Sequence, residues 1–384
     1  MINAIGTTRV AHFSLPIVNL LLISRLYVFK RKKLNIISEQ KKPVGVIGAG
    51  SFGVAMAKLL QENTEVILFS RKQETVESIN KTCRHYETDF SGRVRATNDV
   101  ADICGNCRLI MPMLPSANFR STMQMFSPFL TPSHIIIHGT KGLDLVGLTE
   151  SELVSGVVCS RANVRTMSEV VMEETPVIRV GCLSGPNLAR EILDGQPAAT
   201  LIASRFKEVV EVGKKALNSK YFHVFGSQEI LGAEFAGALK NIIALGSGIL
   251  GGKGLGRNLQ AMLITRGLKE MIAIGTRMGA TNNAFLGTAG IGDLIATATG
   301  TSSRNYQFGM RLAKGEKPAE IIASMLEVAE GVRTLRIAYR ISRTYRLHVP
   351  IIDMLYLVIF ENFSIDKSIQ YLIEYPYDVD VDFV

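Results

Sequence analysis

Residues 44–53 read Val-Gly-Val-Ile-Gly-Ala-Gly-Ser-Phe-Gly, and an apolar pattern at helical spacing follows to Leu60. A short apolar run thus ends in the pattern Gly48-x-Gly50-x-x-Gly53. In such a turn from strand to helix, the first glycine permits the sharp bend, the second lets the backbone approach a pyrophosphate, and the third lets helix and strand pack closely. The new helix directs its free N–H groups and the positive end of its dipole at phosphate. The stretch therefore predicts a dinucleotide site.

The pattern of elements around this turn predicts two domains. Apolar runs alternate with helical patterns from 43 to about 226, which is typical of a parallel sheet with helices on both faces. Helical patterns alone continue to about 373. The predicted fold is α/β, with an N-terminal Rossmann-type doubly wound sheet at 43–226 and a C-terminal all-α domain at 227–384. Strands are predicted at 44–48, 65–70, 108–114, 134–138, 178–183, 198–203 and 221–225. Helices of the first domain are predicted near 51–62, 73–82, 117–126, 149–154, 187–194 and 206–217.

Residues 1–42 differ in composition from the rest of the chain. They hold eight Lys and Arg but one acid, Glu39, so they supply +7 of the net charge of +9. The apolar run at 13–29 is interrupted by polar residues and falls short of the ~20 apolar residues of a spanning helix. The segment suits a targeting peptide, a weak membrane-surface contact through 13–33, or a disordered extension. We expect a dispensable extension whose deletion leaves a soluble, active protein.

Composition argues against several classes of function. Residues 43–384 carry a net charge of only +2 and no basic-aromatic motif, so nucleic acid is not an expected partner. Five scattered cysteines indicate a reducing compartment, in agreement with a cytoplasmic protein. Cys104-Gly-Asn-Cys107 has the form of a redox motif, but it precedes an apolar run instead of opening a helix, which disfavours a redox role. The histidines and cysteines show no metal-ligand spacing, so no metal is expected.

The end of the second predicted strand bears on the cofactor. It reads Ser70-Arg71-Lys72, with no acid before Glu74. An acid about 20 residues after the glycines binds the ribose 2′-hydroxyl of NAD, whereas a nearby Arg accommodates the 2′-phosphate of NADP. The sequence therefore indicates NADP or NAD as cofactor, with NADP tolerated and Arg71 at its 2′-phosphate. A solvated basic strand end is the alternative.

Two later strand ends carry polar groups. Lys141 lies in His138-Gly-Thr-Lys-Gly142, and Ser184-Gly-Pro-Asn187 follows another apolar run. Ligands of open α/β sheets bind beyond the carboxyl ends of the strands. These groups are therefore predicted to line a pocket for a phosphate or carboxylate. A solvated lysine and ordinary helix capping are the alternatives.

The helical part contains a lysine in apolar surroundings. The stretch 230–250 is apolar nearly all round, which predicts a helix in the middle of the molecule. Lys240 lies inside it with no ion-pair partner at helical spacing. Burial lowers a lysine pKa and is one way to make a proton acceptor near neutral pH, whereas snorkelling to the surface is the alternative. The glycines of 246–256 predict a flexible crossing near the cleft.

Two further turns are interpreted as one anion pocket. Asp293 and Thr297 are four residues apart and hence share one helical face. Ser303 is predicted to cap a helix in which Arg304 brings a charge suited to phosphate. Ordinary caps and turns are the alternative.

These motifs, in this order and spacing, resemble the NAD(P)-dependent glycerol-3-phosphate dehydrogenases of bacterial type over residues 43–373. The resemblance implies oxidation of sn-glycerol 3-phosphate to dihydroxyacetone phosphate, in bacteria usually in reverse to supply phospholipid synthesis, by a homodimer. The motifs are Gly48-Ala-Gly-Ser-Phe-Gly53, Leu114-Pro-Ser116, Gly139-Thr-Lys-Gly142, Ser184-Gly-Pro186, Ala238-Leu-Lys-Asn241, Leu263-Ile-Thr-Arg-Gly267, Ala289-Gly-Ile-Gly-Asp293, Ser303-Arg-Asn305 and Ala329-Glu-Gly331.

The resemblance also assigns roles. Lys240 is implied as proton acceptor on the C2 hydroxyl, and the implied catalytic set is Lys240, Asn241, Asp293 and Thr297. The implied substrate-binding residues are Lys141, Gly185, Asn187, Lys240, Asp293, Ser303, Arg304 and Asn305. The implied cofactor-binding residues are Gly48, Gly50, Ser51, Phe52, Gly53, Arg71, Lys141, Ala189, Arg304, Val328 and Glu330.

The chain departs from the family pattern at three places. It has Asn187 where Ser or Thr is usual, Gln260 where a basic residue is usual, and Leu250-Gly-Gly-Lys253 in place of an Asp-Gly turn. Two other functions stay open, namely a hydroxyacid dehydrogenase of the same architecture and a non-catalytic NADP-binding sensor. A carboxylate substrate would not require the Ser-Arg-Asn turn, and a sensor would bind nucleotide without turnover.

Overall fold

The computed structural model describes residues 42–325, 327 and 329–376. From Pro43 onward these residues belong to one compact unit. The predicted extension and its membrane-surface contact at 13–33 lie outside the described residues. The predicted cofactor residue Val328 lies outside them as well.

The strands of the protein begin with one whose residues are all buried, as expected for a strand at the centre of a parallel sheet. In chain order they are β1 (Val44–Ile47), β2 (Val66–Phe69), β3 (Arg84–His85), β4 (Thr88–Asp89), β5 (Val94–Thr97), β6 (Leu109–Pro112), β7 (Ile135–His138), β8 (Asp144–Leu145), β9 (Val164–Arg165), β10 (Arg179–Ser184), β11 (Ala198–Ala203) and β12 (Phe222–Ser227).

The helices cover the sheet and then continue alone. They are α1 (Ser51–Leu60), α2 (Gln73–Thr82), α3 (Val100–Asn106), α4 (Phe119–Phe126), α5 (Glu150–Val154), α6 (Met167–Glu174), α7 (Ala189–Leu193), α8 (Lys207–Leu217), α9 (Ile230–Gly252), α10 (Arg257–Arg277), α11 (Asn283–Leu286), α12 (Asp293–Thr299), α13 (Arg304–Ala313), α14 (Pro318–Ser324), α15 (Glu330–Tyr345), α16 (Pro350–Phe360) and α17 (Ile365–Glu374). Short 3₁₀ turns lie at Ser116–Asn118, Ser127–Phe129 and Arg161–Asn163, and a π turn at Thr288–Gly292 precedes α12.

The main sheet has the order β12-β11-β10-β7-β6-β1-β2-β5. Its six strands from β5 to β10 are parallel and follow the dinucleotide-binding order, in which the strand order reverses between β1 and β6. In folds of this kind the ligand crevice lies at that reversal. The sheet therefore places the crevice beside the glycine turn that follows β1.

The expectation of a parallel sheet is wrong at one edge. Strand β10 pairs with β11 in antiparallel register, and β12 then pairs parallel to β11. The connection between β10 and β11 contains only the five-residue helix α7. Such a helix spans about 7.5 Å, whereas a six-residue strand spans about 20 Å, so the connection does not return the chain to the start of β10.

Helix α9 is the centre of the helical part. Every residue from Gly232 to Leu250 is buried, and the helix packs against α10, α12, α13 and α15. Among the described residues it is the one helix long and apolar enough to cross a membrane, but 89% of the qualifying window is buried inside the protein. It is therefore the core helix that the sequence predicted.

The predicted flexible crossing at 246–256 is wrong for its first half, because α9 continues to Gly252. A Cβ at Gly248 would lie 2.1 Å from the carbonyl oxygen of Tyr306, and one at Gly252 would lie 2.8 Å from that of Met310. These glycines let α13 pack directly on the backbone of α9. They serve helix packing, which brings the start of α13 to the site described below.

The two cysteines of the Cys104–Cys107 motif lie at the end of α3 and are buried. Burial raises the pKa of the Cys104 thiol to about 12. A thiol with this pKa is protonated at neutral pH and is a poor nucleophile. The structure therefore supports the structural role favoured from the sequence.

Candidate active site

The glycine turn has the geometry that its sequence predicts. Gly48 has φ +111°, and a Cβ there would lie 2.7 Å from the carbonyl oxygen of Met113. A Cβ at Gly53 would lie 1.8 Å from the carbonyl oxygen of Gly48, so no larger residue lets α1 approach β1 so closely. A Cβ at Gly139, just after β7, would lie 2.8 Å from a ring carbon of Phe52. The start of α1 thus contacts the loop that carries Lys141.

Two lysines from different parts of the fold meet on one carboxylate. The Nζ of Lys141 donates to Oδ2 of Asp293 at 2.7 Å and to the carbonyl oxygen of Gly185 at 2.7 Å. The Nζ of Lys240, on α9, donates to Oδ1 of Asp293 at 2.7 Å. It also donates to Oγ1 of Thr297, which itself donates to Asp293. Lys141 and Asp293, which are 152 positions apart, therefore belong to one buried polar cluster.

Burial and charge set the protonation of this cluster. Burial lowers the pKa of Lys240 to about 8, with the charges of Lys141 and Arg304 acting in the same direction and Asp293 opposing them. Burial raises the pKa of the Asp293 carboxyl, but the two lysines outweigh it and hold that pKa below its ordinary value. The cluster thus combines an ionised carboxylate with an amine that exchanges its proton near neutral pH.

Two asparagines connect the lysine cluster to the helical part. The Nδ2 of Asn241 donates to the carbonyl oxygen of Lys141 at 3.3 Å, and its Oδ1 accepts from Nδ2 of Asn305 at 2.9 Å. The Oδ1 of Asn305 accepts from the backbone N–H of Gly331 at 2.9 Å. This chain of hydrogen bonds fixes α9, α13 and the start of α15 relative to the loop after β7.

The loop after β10 supplies a backbone acceptor and a buried amide. Gly185 has φ +138° and gives its carbonyl oxygen to Lys141. The Nδ2 of Asn187 donates to Oγ1 of Thr200 at 2.8 Å, and that hydroxyl donates to the carbonyl oxygen of Ser184 at 3.1 Å. Because the hydroxyl hydrogen is already used, Thr200 accepts from Asn187, which fixes the orientation of the amide. The Oδ1 of Asn187 is buried and has no hydrogen-bond partner among the residues that the structure describes.

A basic group lies at the start of α13. Ser303 caps this helix, as predicted, through a hydrogen bond from the N–H of Tyr306 to its Oγ at 3.4 Å. Arg304 follows with a half-exposed side chain, and its Nη1 lies 3.3 Å from Oε2 of Glu327. The other carboxylate oxygen, Oε1, accepts from Oγ of Ser51 at 2.7 Å. Glu327 therefore connects Arg304 on α13 to Ser51 at the glycine turn.

Glu330, predicted as a cofactor residue, has protein partners. Its carboxylate accepts from the backbone N–H of Ser116 at 2.7 Å and from Oγ of Ser116 at 2.6 Å. Nη1 of Arg333 donates to the same Oγ at 3.2 Å. This contact connects the Leu114-Pro-Ser116 segment, beyond β6, to the start of α15.

Two further predicted cofactor residues, Ala189 and Arg71, lie near the glycine turn. Ala189 begins α7, which packs against α1. Arg71 follows β2 and is exposed. Since β1 and β2 are parallel neighbours, Arg71 and the glycine turn lie at the same edge of the sheet.

Sequence reasoning missed three parts of this region, namely Glu327, the Ser116–Arg333 contact and the buried pair His138–Glu234. The Nε2 of His138, at the end of β7, lies 3.0 Å from Oε1 of Glu234 on α9. The sequence contained a signal for this pair, since Glu234 is an acid in an apolar helical stretch with no basic residue at helical spacing. Within residues 42–376, as far as they are described, no three His, Cys, Asp or Glu side chains cluster as metal ligands would.

Comparison with known proteins decides the family. Residues 43–210 match the family description "NAD-dependent glycerol-3-phosphate dehydrogenase N-terminus", and residues 229–370 match the corresponding "C-terminus". The chain belongs to the NAD-dependent glycerol-3-phosphate dehydrogenase family. Membership confirms the predicted α/β fold with its helical C-terminal part and the predicted enzyme class, an oxidoreductase that uses NAD(P).

Relatives of the glycerol-3-phosphate dehydrogenase family align over most of the chain. Glycerol-3-phosphate dehydrogenase (NAD(P)+) of Syntrophotalea carbinolica is 34% identical over 327 residues, which cover 83% of this chain and 93% of the relative. That of Pseudomonas aeruginosa strain LESB58 is 34% identical over 351 residues, covering 90% and 98%. The crystal structure of glycerol-3-phosphate dehydrogenase from Coxiella burnetii is 27% identical, with a TM-score of 0.77 and coverage of 87% and 99%.

Gln260, which the resemblance marked as a departure from the family pattern, lies in a polar contact between three helices. Its Nε2 donates to Oγ of Ser247 at 2.7 Å and to the carbonyl oxygen of Ala298 at 3.2 Å. Its Oε1 accepts from Nη1 of Arg257 at 2.9 Å. The amide thus connects α10 to α9 and to α12, the helix that begins with Asp293, without contacting the lysine cluster.

Proposed function

We propose that the chain interconverts sn-glycerol 3-phosphate and dihydroxyacetone phosphate by hydride transfer with NAD(P), with Lys240 as general acid and base. The observation that supports this most directly is the cluster of Lys141, Asp293 and Lys240. A neutral amine in a buried site accepts a proton readily, and a second, charged lysine beside it attracts an anionic substrate. The relatives named above carry this activity in their names.

The residues after β1 fit a dinucleotide. The nearest atom to a Cβ at Gly50 would be Oε1 of Glu327 at 3.9 Å, so the backbone is open at Gly50 itself, while the N–H of Ser51 beside it donates to that carboxylate oxygen. We assign the pyrophosphate to the turn Gly48–Gly53 with Ser51 and Phe52, and the 2′-phosphate of NADP to Arg71. Lys141, Ala189, Arg304, Val328 and Glu330 are assigned to the same cofactor by the resemblance. When bound there, NAD(P) supplies the hydride acceptor or donor.

Phosphate on the substrate suits the start of α13. Arg304, the N–H groups of the first turn and the capping residue Ser303 together provide a charge, a helix dipole and hydrogen-bond donors for an anion. We assign the substrate phosphate to Ser303, Arg304 and Asn305. Lys141, Gly185 and Asn187 then form the opposite wall.

Proton transfer follows from the cluster. In the oxidation, the neutral Nζ of Lys240 accepts the proton of the C2 hydroxyl as the C2 hydride leaves. In the reduction, the protonated Nζ returns that proton to the carbonyl oxygen. Asp293 and Thr297 orient the amine, and Asn241 fixes the backbone of Lys141, so both lysines keep their positions during the reaction.

The setting of the enzyme is proposed on family grounds. We propose a cytoplasmic homodimer whose reductive direction supplies glycerol 3-phosphate for glycerophospholipid synthesis. A sheet domain at 43–226 would bind the cofactor and a helical domain at 227–384 the substrate. Residues 1–42 would be a dispensable extension, and the segment 13–33 would at most contact a membrane surface weakly.

Absorbance at 340 nm tests the proposal, with dihydroxyacetone phosphate and NADPH or NADH as substrates. Oxidation of the nicotinamide that depends on dihydroxyacetone phosphate is expected. Turnover of an unphosphorylated 2-oxo acid instead would indicate a hydroxyacid dehydrogenase. Binding of NADPH without turnover of either substrate would indicate a sensor.

A further inference from the structure

The carboxylate of Glu327 accepts hydrogen bonds from Ser51, which the proposed function assigns to the cofactor pyrophosphate. Its Oε1 accepts from Oγ of Ser51 at 2.7 Å and from the backbone N–H of Ser51 at 3.4 Å. Its Oε2 lies 3.3 Å from Nη1 of Arg304. One side chain thus contacts both the first N–H of α1 and the guanidinium of Arg304, which the proposed function assigns to the substrate phosphate and to the cofactor.

The contact has the chemistry of an anion site. Helix α1 has Gly50 as its N-cap and therefore no side-chain cap of its own. Its N–H groups and dipole attract any anion, whether carboxylate or phosphate. The N–H of Ser51 carries a single hydrogen, so it cannot donate fully to Glu327 and to a phosphate oxygen together.

We propose that Glu327 is a built-in competitor for the pyrophosphate of NAD(P), whose carboxylate must leave Ser51 and Arg304 before the cofactor is bound. The inference rests on the proposed function for the location of the cofactor. Glu327 would thereby lower the apparent affinity for the cofactor below the affinity that the glycine turn and Arg304 would provide alone.

The expected change in cofactor affinity depends on how exposed Arg304 and Glu327 are. The side chains of Arg304 and Glu327 are 46% and 31% exposed, so solvent screens their attraction. The hydrogen bonds to Ser51 are charge-assisted and partly buried, which makes them the stronger part of the contact. When only a fraction of the protein is free to bind, the apparent dissociation constant rises in inverse proportion to that fraction. We expect the competition to weaken cofactor binding about 3- to 30-fold.

The test measures dissociation constants of NADPH, from its fluorescence on binding, and of inorganic pyrophosphate, from competition against NADPH. Glu327→Gln removes the charge but keeps the size of the side chain. We expect both constants to fall about 3- to 30-fold, with the difference from the unsubstituted protein shrinking as salt is added. Glu327→Ala is expected to change both constants in the same direction.

Glu316→Gln is the matched control. Glu316 is a half-exposed acid that pairs with Arg311 at the far end of α13, so its substitution makes the same change in net charge without touching Ser51. We expect its effect on both constants to be within about 2-fold. A thermal unfolding curve for each variant shows that the folded protein is being compared.

Unchanged or weaker binding in both Glu327 variants would overturn the proposal, and weaker binding would indicate that Glu327 contacts the bound cofactor instead. An equal gain in Glu316→Gln would overturn it too, since net charge would then explain the result. Failure of the proposed function is separable, because it appears in the unsubstituted protein as absence of turnover. Pyrophosphate tests the competition without any hydride chemistry.

Discussion

The Nζ of Lys240 and Oδ1 of Asp293 lie 2.7 Å apart in the buried centre of the protein. The other oxygen of that carboxylate holds Lys141, so two amines share one negative charge. Lys240 is the more deeply buried of the two, with a side chain that is 6% exposed against 17% for Lys141. Loss of its proton relieves both the desolvation of a buried charge and the repulsion between the amines. The arrangement favours Lys240 as the group that gives and takes the proton.

Lys240→Met should abolish the chemical step while cofactor binding persists. The thioether side chain fills a similar volume but cannot transfer a proton, so we expect kcat to fall about 10²-fold or more. The dissociation constant of NADPH should change less than about 3-fold. Lys269→Met, on the exposed face of α10, is the control and should retain activity. Near-normal kcat in Lys240→Met would remove Lys240 from the mechanism.

The rate should depend on pH with opposite signs in the two directions. Oxidation needs neutral Lys240, so kcat should rise through about pH 8 as its proton is lost. Reduction needs the protonated amine, so its kcat should fall over the same interval. Asp293→Asn removes the charge that raises this pKa, and the midpoint should move to lower pH. Flat profiles between about pH 6.5 and 9.5 would contradict this assignment.

The parts of this protein that could be predicted from sequence are those with a local signal. The glycine turn, seven of the eight strands of the main sheet and the apolar helix around Lys240 each give a signal within about 20 residues through spacing and composition. The edge strand β5 was not predicted. The 3₁₀ turns and the two-residue strands β3 and β4 give no such signal, because pairs so short have no periodicity. The glycines of α9 led to the wrong prediction of a flexible segment, because packing against Tyr306 outweighs the low helix propensity of glycine there.

Contacts between distant residues had to come from the structure. The sequence indicated separately that Lys141 follows a strand and that Asp293 lies on a helical face. Nothing local shows that one carboxylate bridges Lys141 and Lys240. The same holds for Glu327 and Ser51, which are 276 positions apart. Tertiary packing determines such pairs, and the family resemblance was the only route to the first of them.

Arg71→Ala should separate the two cofactors. Arg71 is exposed just beyond β2, so its removal should leave the fold intact and affect only the 2′-phosphate. We expect KM for NADPH to rise about 10-fold while KM for NADH stays within about 2-fold. Arg205→Ala, at an exposed position after β11, controls for net charge. Equal effects on both cofactors would favour a solvated basic strand end.

Asn187 should make the enzyme prefer substrates that carry a hydroxyl group at C1. The Thr200 hydroxyl fixes the amide, and the unpaired Oδ1 can only accept a hydrogen bond. A ligand hydroxyl that reached this oxygen would satisfy it, whereas a phosphate or carboxylate oxygen would be repelled. We therefore expect dihydroxyacetone phosphate to be preferred over hydroxyacetone phosphate, which lacks the C1 hydroxyl, by about 10-fold or more in kcat/KM.

Asn187→Leu, of similar size, should reduce that preference to within about 3-fold by slowing only the hydroxyl-bearing substrate. Asn187→Ser restores a hydrogen-bonding group and should recover part of the preference. Equal ratios in the unsubstituted protein and Asn187→Leu would place the C1 hydroxyl elsewhere.

Glu270 should stabilise the helical part through the start of α16. Its carboxylate, on α10, accepts from the backbone N–H groups of Ile351 and Ile352 at 2.8 and 3.0 Å. Glu270→Ala would leave both N–H groups buried without a partner, so the free energy of unfolding should fall by about 2–4 kcal/mol. Glu270→Gln keeps one acceptor and should lose about half as much. Urea unfolding measures both, with exposed Glu361→Ala as control, and equal stability of Glu270→Ala and Glu361→Ala would show that these N–H groups find other partners.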